Sequence, residues 1–207
     1  MIDGQNEHIV SKKRKRRKRQ KENPFDSFSL EEIALSLSDP KRLTTPESID
    51  SHVRQFCEQL SQNEKPIFVT VQPQHWSRLK YCNKNVEKMI QLHGGEMILG
   101  YRIWYIKDLY IEAERHAIWQ GPEGEVLDIT FLQDEEKKIL FVPIPNLDTV
   151  VSDPSMKPRV ALHPKVEMFI KKQVRYEKSN PHIFDDTWER WEQSISYIEW
   201  QMSNQRR

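Results

Sequence analysis

The chain has 207 residues, enough for one domain or one domain with tails, and its 37% hydrophobic content suffices for a core of ordinary size. The formal net charge of +1 hides a division: residues 1–22 hold nine basic and three acidic side chains, a surplus of +6, so the other 23 basic and 28 acidic residues leave −5 elsewhere. An acidic body excludes a folded domain that grips nucleic acid over a broad surface, and two cysteines without a CxxC pattern exclude a disulfide framework or a structural zinc centre.

Taken in chain order, residues 1–25 read as a disordered basic tail, and residues 26–207 as a single α+β domain with a core over 66–142 and C-terminal helices over 160–203. In the tail, Lys12, Lys13, Arg14, Lys15, Arg16, Arg17, Lys18, Arg19 and Lys21 fill nine of ten positions. Such a run repels itself and has no apolar face to bury. It reads as a solvated arm, as a tether to nucleic acid or an anionic surface without sequence preference, or as an import signal in a nucleated cell. No apolar run reaches the length of a membrane span and no signal-type apolar stretch precedes the basic run, so a reducing cytoplasmic setting with free thiols is expected.

Beyond the tail, Ser29-Leu30-Glu31-Glu32 has the form of a capping box and predicts a short helix through Ile33, Ala34 and Leu37. Thr45-Pro46 predicts a second helix start, with Ile49, Val53, Phe56 and Leu60 as its buried face and Cys57 beside them as a small core residue. Pro66 stops that helix, and Ile67 to Val71 is β-branched enough for a strand. A polar connection follows, then a helix opening at Cys82 whose apolar face is Val86, Met89, Ile90 and His93, closed by Gly94-Gly95. The period then changes to two, predicting antiparallel strands over 97–106, 109–119 and 125–130, turning at Lys107-Asp108 and at 121–124, with a fourth over 139–142. A helix over 164–177 and another opening at Asp185-Asp186-Thr187, with Trp188, Trp191, Ile195 and Ile198 on one face, complete the chain. The expected architecture is helices packed on an antiparallel sheet. The tryptophans are scattered over different elements and read as core residues, not as a base-stacking platform.

This layout sets Cys82 at a helix start, His116 within the sheet and Asp128 on the adjacent strand. A helix N-terminus favours a thiolate, an imidazole in reach holds the proton, and a carboxylate on the other ring nitrogen fixes the tautomer. With a four-residue turn, Ala117 falls opposite Asp128, and a one-residue bulge is needed to bring His116 and Asp128 onto one face.

The segment His116-Ala117-Ile118-Trp119, followed by Gly124 and Leu127-Asp128-Ile129-Thr130, resembles the histidine and aspartate strands of transglutaminase-like proteins, within the wider papain-like group. It is also similar to small bacterial proteins with an Ile-Glu-Ala-Glu-x-His-Ala-x-Trp segment. The likeness covers roughly residues 69–131. It implies a papain/transglutaminase-like core and a Cys82 nucleophile with His116 and Asp128 as partners, although Tyr81 and Asn83 flank the cysteine and Ile129 stands where the family has proline. Gln72 and Gln74 are oxyanion candidates because papain-like enzymes place a glutamine there. Glu112 and Glu114 share a strand parity with His116 and are candidates for selecting a cationic substrate. A rival reading joins Glu112, Glu114, His116 and Asp128 as a metal cluster, but no second histidine stands at ligand spacing, so no metal and no cofactor are expected. Two functions follow as expectations. One is a thiol-dependent hydrolase or acyltransferase acting on a peptide, amide or thioester; the other is a non-catalytic domain brought to nucleic acid or a partner by the basic tail.

Overall fold

The computed structural model describes residues 23–39, 41–132, 135–145, 147, 157–180 and 186–204. The basic residues from Lys12 to Lys21 lie outside them, as does Asp185. Helix α1 (Leu30–Ser38) begins with the expected capping box, Ser29 and Glu32 exchanging bonds reciprocally. Helix α2 (Ser51–Leu60) starts five residues later than the Thr45-Pro46 signal predicts. Asp50 is its cap, accepting from the His52 and Val53 N–H groups, while the Thr45 hydroxyl and amide are both drawn to Glu136. A distant carboxylate outcompetes the local cap.

Strand β1 (Ile67–Val71), helix α3 (Cys82–His93), β2 (Glu96–Ile106), β3 (Tyr110–Gln120), β4 (Val126–Asp128) and β5 (Lys138–Pro143) follow as anticipated. A further short strand, β6 (Arg159–Ala161), precedes α4 (Pro164–Ser179). The last predicted helix, carrying Trp188 to Ile198, is two, α5 (Trp188–Gln193) and α6 (Tyr197–Asn204). Ser196 forms a backbone bridge with Arg78 that interrupts the helix, and it leaves Ile195 and Ile198 exposed instead of buried. Among the described residues no helix is long and apolar enough to cross a membrane.

The protein is mixed α+β, but its sheet is neither open nor wholly antiparallel. The strand order is β2-β5-β1-β4-β3-β6, and β2 also pairs with β3 along its whole length, so five strands close into a small barrel with β6 appended. Strands β1 and β4 run parallel, Val71 aligned with Asp128. Helices α2 and α3 cover the odd-numbered face of β2 and β3, through Tyr101, Ile103, Ile111 and Ala113 for α2 and Met97, Ala117 and Trp119 for α3. The even-numbered face therefore points into the barrel, where Val69, Ile118, Ile139 and Phe141 form the inner core with Val71, Ile98 and Val126.

Candidate active site

The β3–β4 connection decides whether His116 and Asp128 share a face. It is a five-residue loop, 121–125, held by Gly121 N–H to the Glu125 carbonyl at 2.9 Å and by Gly124 N–H to the Gly121 carbonyl at 2.9 Å. Gly124 takes φ 89°, a left-handed conformation that favours glycine. The extra residue sets Trp119 opposite Leu127, so Ile118 continues opposite Asp128. His116, two positions from Ile118, then has the parity of Asp128 without any bulge. The expected one-residue bulge is replaced by one more residue in the loop.

Both side chains point into the barrel and are buried, His116 at 4% exposure and Asp128 at 0%. Asp128 is held at one oxygen: Oδ1 accepts the Thr130 N–H at 2.9 Å, leaving Oδ2 towards the ring, 3.0 Å from His116 Nε2. This contact is close enough for full Coulomb attraction but lies off the axis of a good hydrogen bond. The edge of Phe141 packs on the imidazole, with ring centroids 6.5 Å apart. Gly100, opposite His116 in the ladder, has no Cβ to collide with that phenyl ring.

Strand β4 ends at Asp128, and β6 meets β3 only at Tyr110 to Glu112, so among the described residues no strand pairs with the edge of β3 between them. His116 lies on this unpaired stretch of β3. The first turn of α3 lies beside it: Cys82 packs against the cluster of Val86, Met89, Ala117, Trp119 and Ile129, is half-buried, and is near enough to act on the imidazole. Since Nε2 faces Asp128, Nδ1 is the ring nitrogen available to the thiol. The thiol also approaches Asn83 Oδ1 at 3.8 Å. No side chain caps α3, which leaves the N–H groups of its first turn at the thiol end of the helix.

Burial by itself would push the His116 pKa down, but the charge of Asp128, with a smaller contribution from Cys82, more than offsets it and holds the imidazole above its ordinary 6.5. A raised folded-state pKa means that the stabilisation is complete below the unfolded value and is lost as pH rises through the folded one. His116 is therefore expected to stay protonated through neutral pH. Its Cε1–H resonance should hold the imidazolium position at about pH 7.5 and move only in alkaline solution. A midpoint near the free-imidazole value would show that the Asp128 contact is not formed in solution.

The other candidates are placed elsewhere. Gln72 donates its backbone N–H to the Asp128 carbonyl at 2.7 Å while its side chain is exposed, and the Gln74 amide turns back to the Gln72 carbonyl at 3.4 Å. The Gln74 amide is thus bonded within its own loop. Glu112 and Glu114 do share the His116 face, but cations already hold them. Glu114 bonds Arg102 at 2.7 Å and Lys157 at 2.9 Å; Glu112 binds Arg159 at 3.2 Å and accepts the Tyr110 hydroxyl at 2.6 Å. Burial raises the Glu114 pKa, yet Arg102 and Lys157 hold it well below the carboxylate range. Glu112 lines a cavity of about 710 Å³ between α1, α4 and the N-terminal end of β3, four residues from His116 or roughly 13 Å along a strand. Among the described residues no group of three or more His, Cys, Asp or Glu side chains forms a metal-binding cluster.

Sequence reasoning gave no place at the site to Asn85, in the first turn of α3, or to Thr130 and Trp191, which bond its side chain. One signal was available: Asn85 is a polar residue on the same stripe as Val86 and Met89, and it is fully buried. Comparison of the chain with family models, curated proteins and solved structures finds no match.

Proposed function

We propose that the protein is a thiol-dependent hydrolase or acyltransferase acting on an amide or thioester, with the core likeness to transglutaminase-like proteins as part of that reading. The observation that carries it is the buried His116–Asp128 contact of 3.0 Å opening towards a helix-start cysteine. With the imidazolium of His116 already holding the proton at Nδ1, Cys82 Sγ attacks the substrate carbonyl carbon as the sulfur partner of that ion pair, forming a C–S bond while the carbonyl π electrons move to the oxygen. First-turn N–H groups of α3 supply donors for the developing oxyanion. The amine or thiol leaves with the proton from His116, and a thioester to Cys82 remains. Water, or an acceptor amine, then attacks that thioester and gives a proton to His116, the C–S bond breaks, and the acid or the new amide leaves with the Cys82–His116 ion pair restored. Asp128 stabilises the imidazolium through both steps.

The two cysteines provide the test. Burial pushes the Cys57 thiol up to about 12, with the Glu58 charge adding to the effect, so Cys57 is an internal reference for an unreactive thiol. Iodoacetamide at neutral pH is expected to modify Cys82 at least about a hundredfold faster than Cys57 in the folded chain. Comparable rates at the two sites would remove the proposal. The nine basic residues between Lys12 and Lys21 favour a salt-sensitive tether to nucleic acid or an anionic surface as an accessory to this chemistry.

A further inference from the structure

Asn85 lies one helical turn beyond Cys82, and no part of its side chain reaches solvent. A side-chain amide has two N–H donors and two acceptor lone pairs. Here all four are used. Oδ1 accepts the Arg78 N–H at 2.8 Å and the Trp191 indole N–H at 2.9 Å; Nδ2 donates to the Arg78 carbonyl at 2.8 Å and to Thr130 Oγ1 at 3.1 Å. The orientation is unambiguous, because two partners only donate and one only accepts.

Helix α3 needs none of these bonds for its own backbone. Their partners lie on three segments that meet at the first turn of α3. Arg78 belongs to the connection leading into Cys82. Thr130 lies two residues past Asp128, and its N–H holds Asp128 Oδ1. Trp191 belongs to α5, whose carbonyl accepts Arg78 Nε at 3.0 Å while the Arg78 guanidinium lies over the indole at 4.8 Å. One amide thus ties the helix bearing the nucleophile to the strand end bearing the carboxylate. A buried amide with every valence used has one geometry available, since any displacement leaves a donor or acceptor unpaired.

We infer that Asn85 is a positioning residue that sets Cys82 against the imidazole by linking the first turn of α3 to Thr130 and, through it, to Asp128. This rests on the reading of Cys82, His116 and Asp128 as one site. Thr130→Val tests it on the full chain, because it removes the hydroxyl acceptor at nearly constant shape and spares the backbone bond to Asp128. The measurement is the Cys82 alkylation rate by iodoacetamide against pH, with folding followed by circular dichroism. At about pH 6.5, Thr130→Val is expected to lose roughly fivefold or more and its profile to move alkaline, with Thr130→Ser within about twofold of wild type. Asn85→Asp, which keeps both accepted bonds and loses both donated ones, should lose a similar factor. Combining the two should cost little more than either alone, since both break the same link.

A folded Thr130→Val protein with the wild-type profile overturns the inference and leaves the site reading standing. Wild-type Cys82 alkylating no faster than free cysteine at that pH overturns the site reading, and this inference with it. Should Thr130→Val not fold, Trp191→Phe removes one accepted bond while keeping a ring in place. A shifted profile there supports the clamp; an unshifted one overturns it.

Discussion

Asp128→Asn is expected to leave the barrel folded while cutting turnover by about 10²–10⁴-fold and Cys82 alkylation at mildly acidic pH by roughly tenfold or more. Asparagine can still accept the Thr130 N–H through Oδ1, so the local turn survives. Its Nδ2 then faces the ring in place of Oδ2. An amide N–H pointing at Nε2 requires that nitrogen to be unprotonated, which puts the proton on Nδ1, the atom that must take it from the thiol. The imidazole also loses the charge that held its pKa up, and burial alone pushes it down. His116 becomes neutral through the physiological range. Because it can shed its proton, no uncompensated charge is left in the barrel, and the stability loss should stay within about 2 kcal/mol. Alkylation rates across pH, read beside a melting curve, separate the outcomes. An unmoved profile in a folded variant would detach Asp128 from the thiol and leave at best a Cys82–His116 pair.

Gly100→Ala should act on the fold itself. A Cβ at Gly100 would lie 2.2 Å from the Val142 carbonyl oxygen and 2.6 and 2.9 Å from two carbons of the Phe141 ring. Gly100 is opposite His116 on one side and Pro143 on the other, so β2 cannot move away without opening the ladder to β5, where the barrel closes. The expected loss is about 3 kcal/mol or more, or a fall of roughly 6–12 °C in melting temperature for a chain of this size. Trimming the ring with Phe141→Leu should recover little, since the shorter of the two clashes is with a backbone carbonyl. A Gly100→Ala protein melting within about 2 °C of wild type would mean that β2 and β5 are farther apart than 2.2 Å implies.

Much of the architecture is legible residue by residue. The α1 capping box, the β-branched run of β1, the Gly94 stop after α3 and the Asp108 turn at φ 61° each carry a local signal, and local signals survive folding. Thr45 and the C-terminal helix were misread for one shared reason: a distant partner took the group that local rules assigned elsewhere, Glu136 in the first case and the Arg78 backbone in the second. The same holds at Glu112 and Glu114. Strand parity set them on the His116 face, but Lys157 and Arg159 are at least 40 residues away in sequence, and no spacing rule pairs them.

From sequence alone came the order of the elements from α1 to β5, the cysteine at a helix start, the histidine within the sheet and the aspartate on the strand after it. These depend on periodicity and capping, which act over a few residues. Tertiary structure alone decided that Trp119 faces Leu127 instead of Val126, that β1 and β4 run parallel, and that β2 closes on β3 and β5 to form a barrel around His116 and Asp128. Side chains alternate with a period of two, so one residue in a loop moves an entire strand from one face to the other, and only the packing of Ile118 and Val126 into the barrel core selects the register.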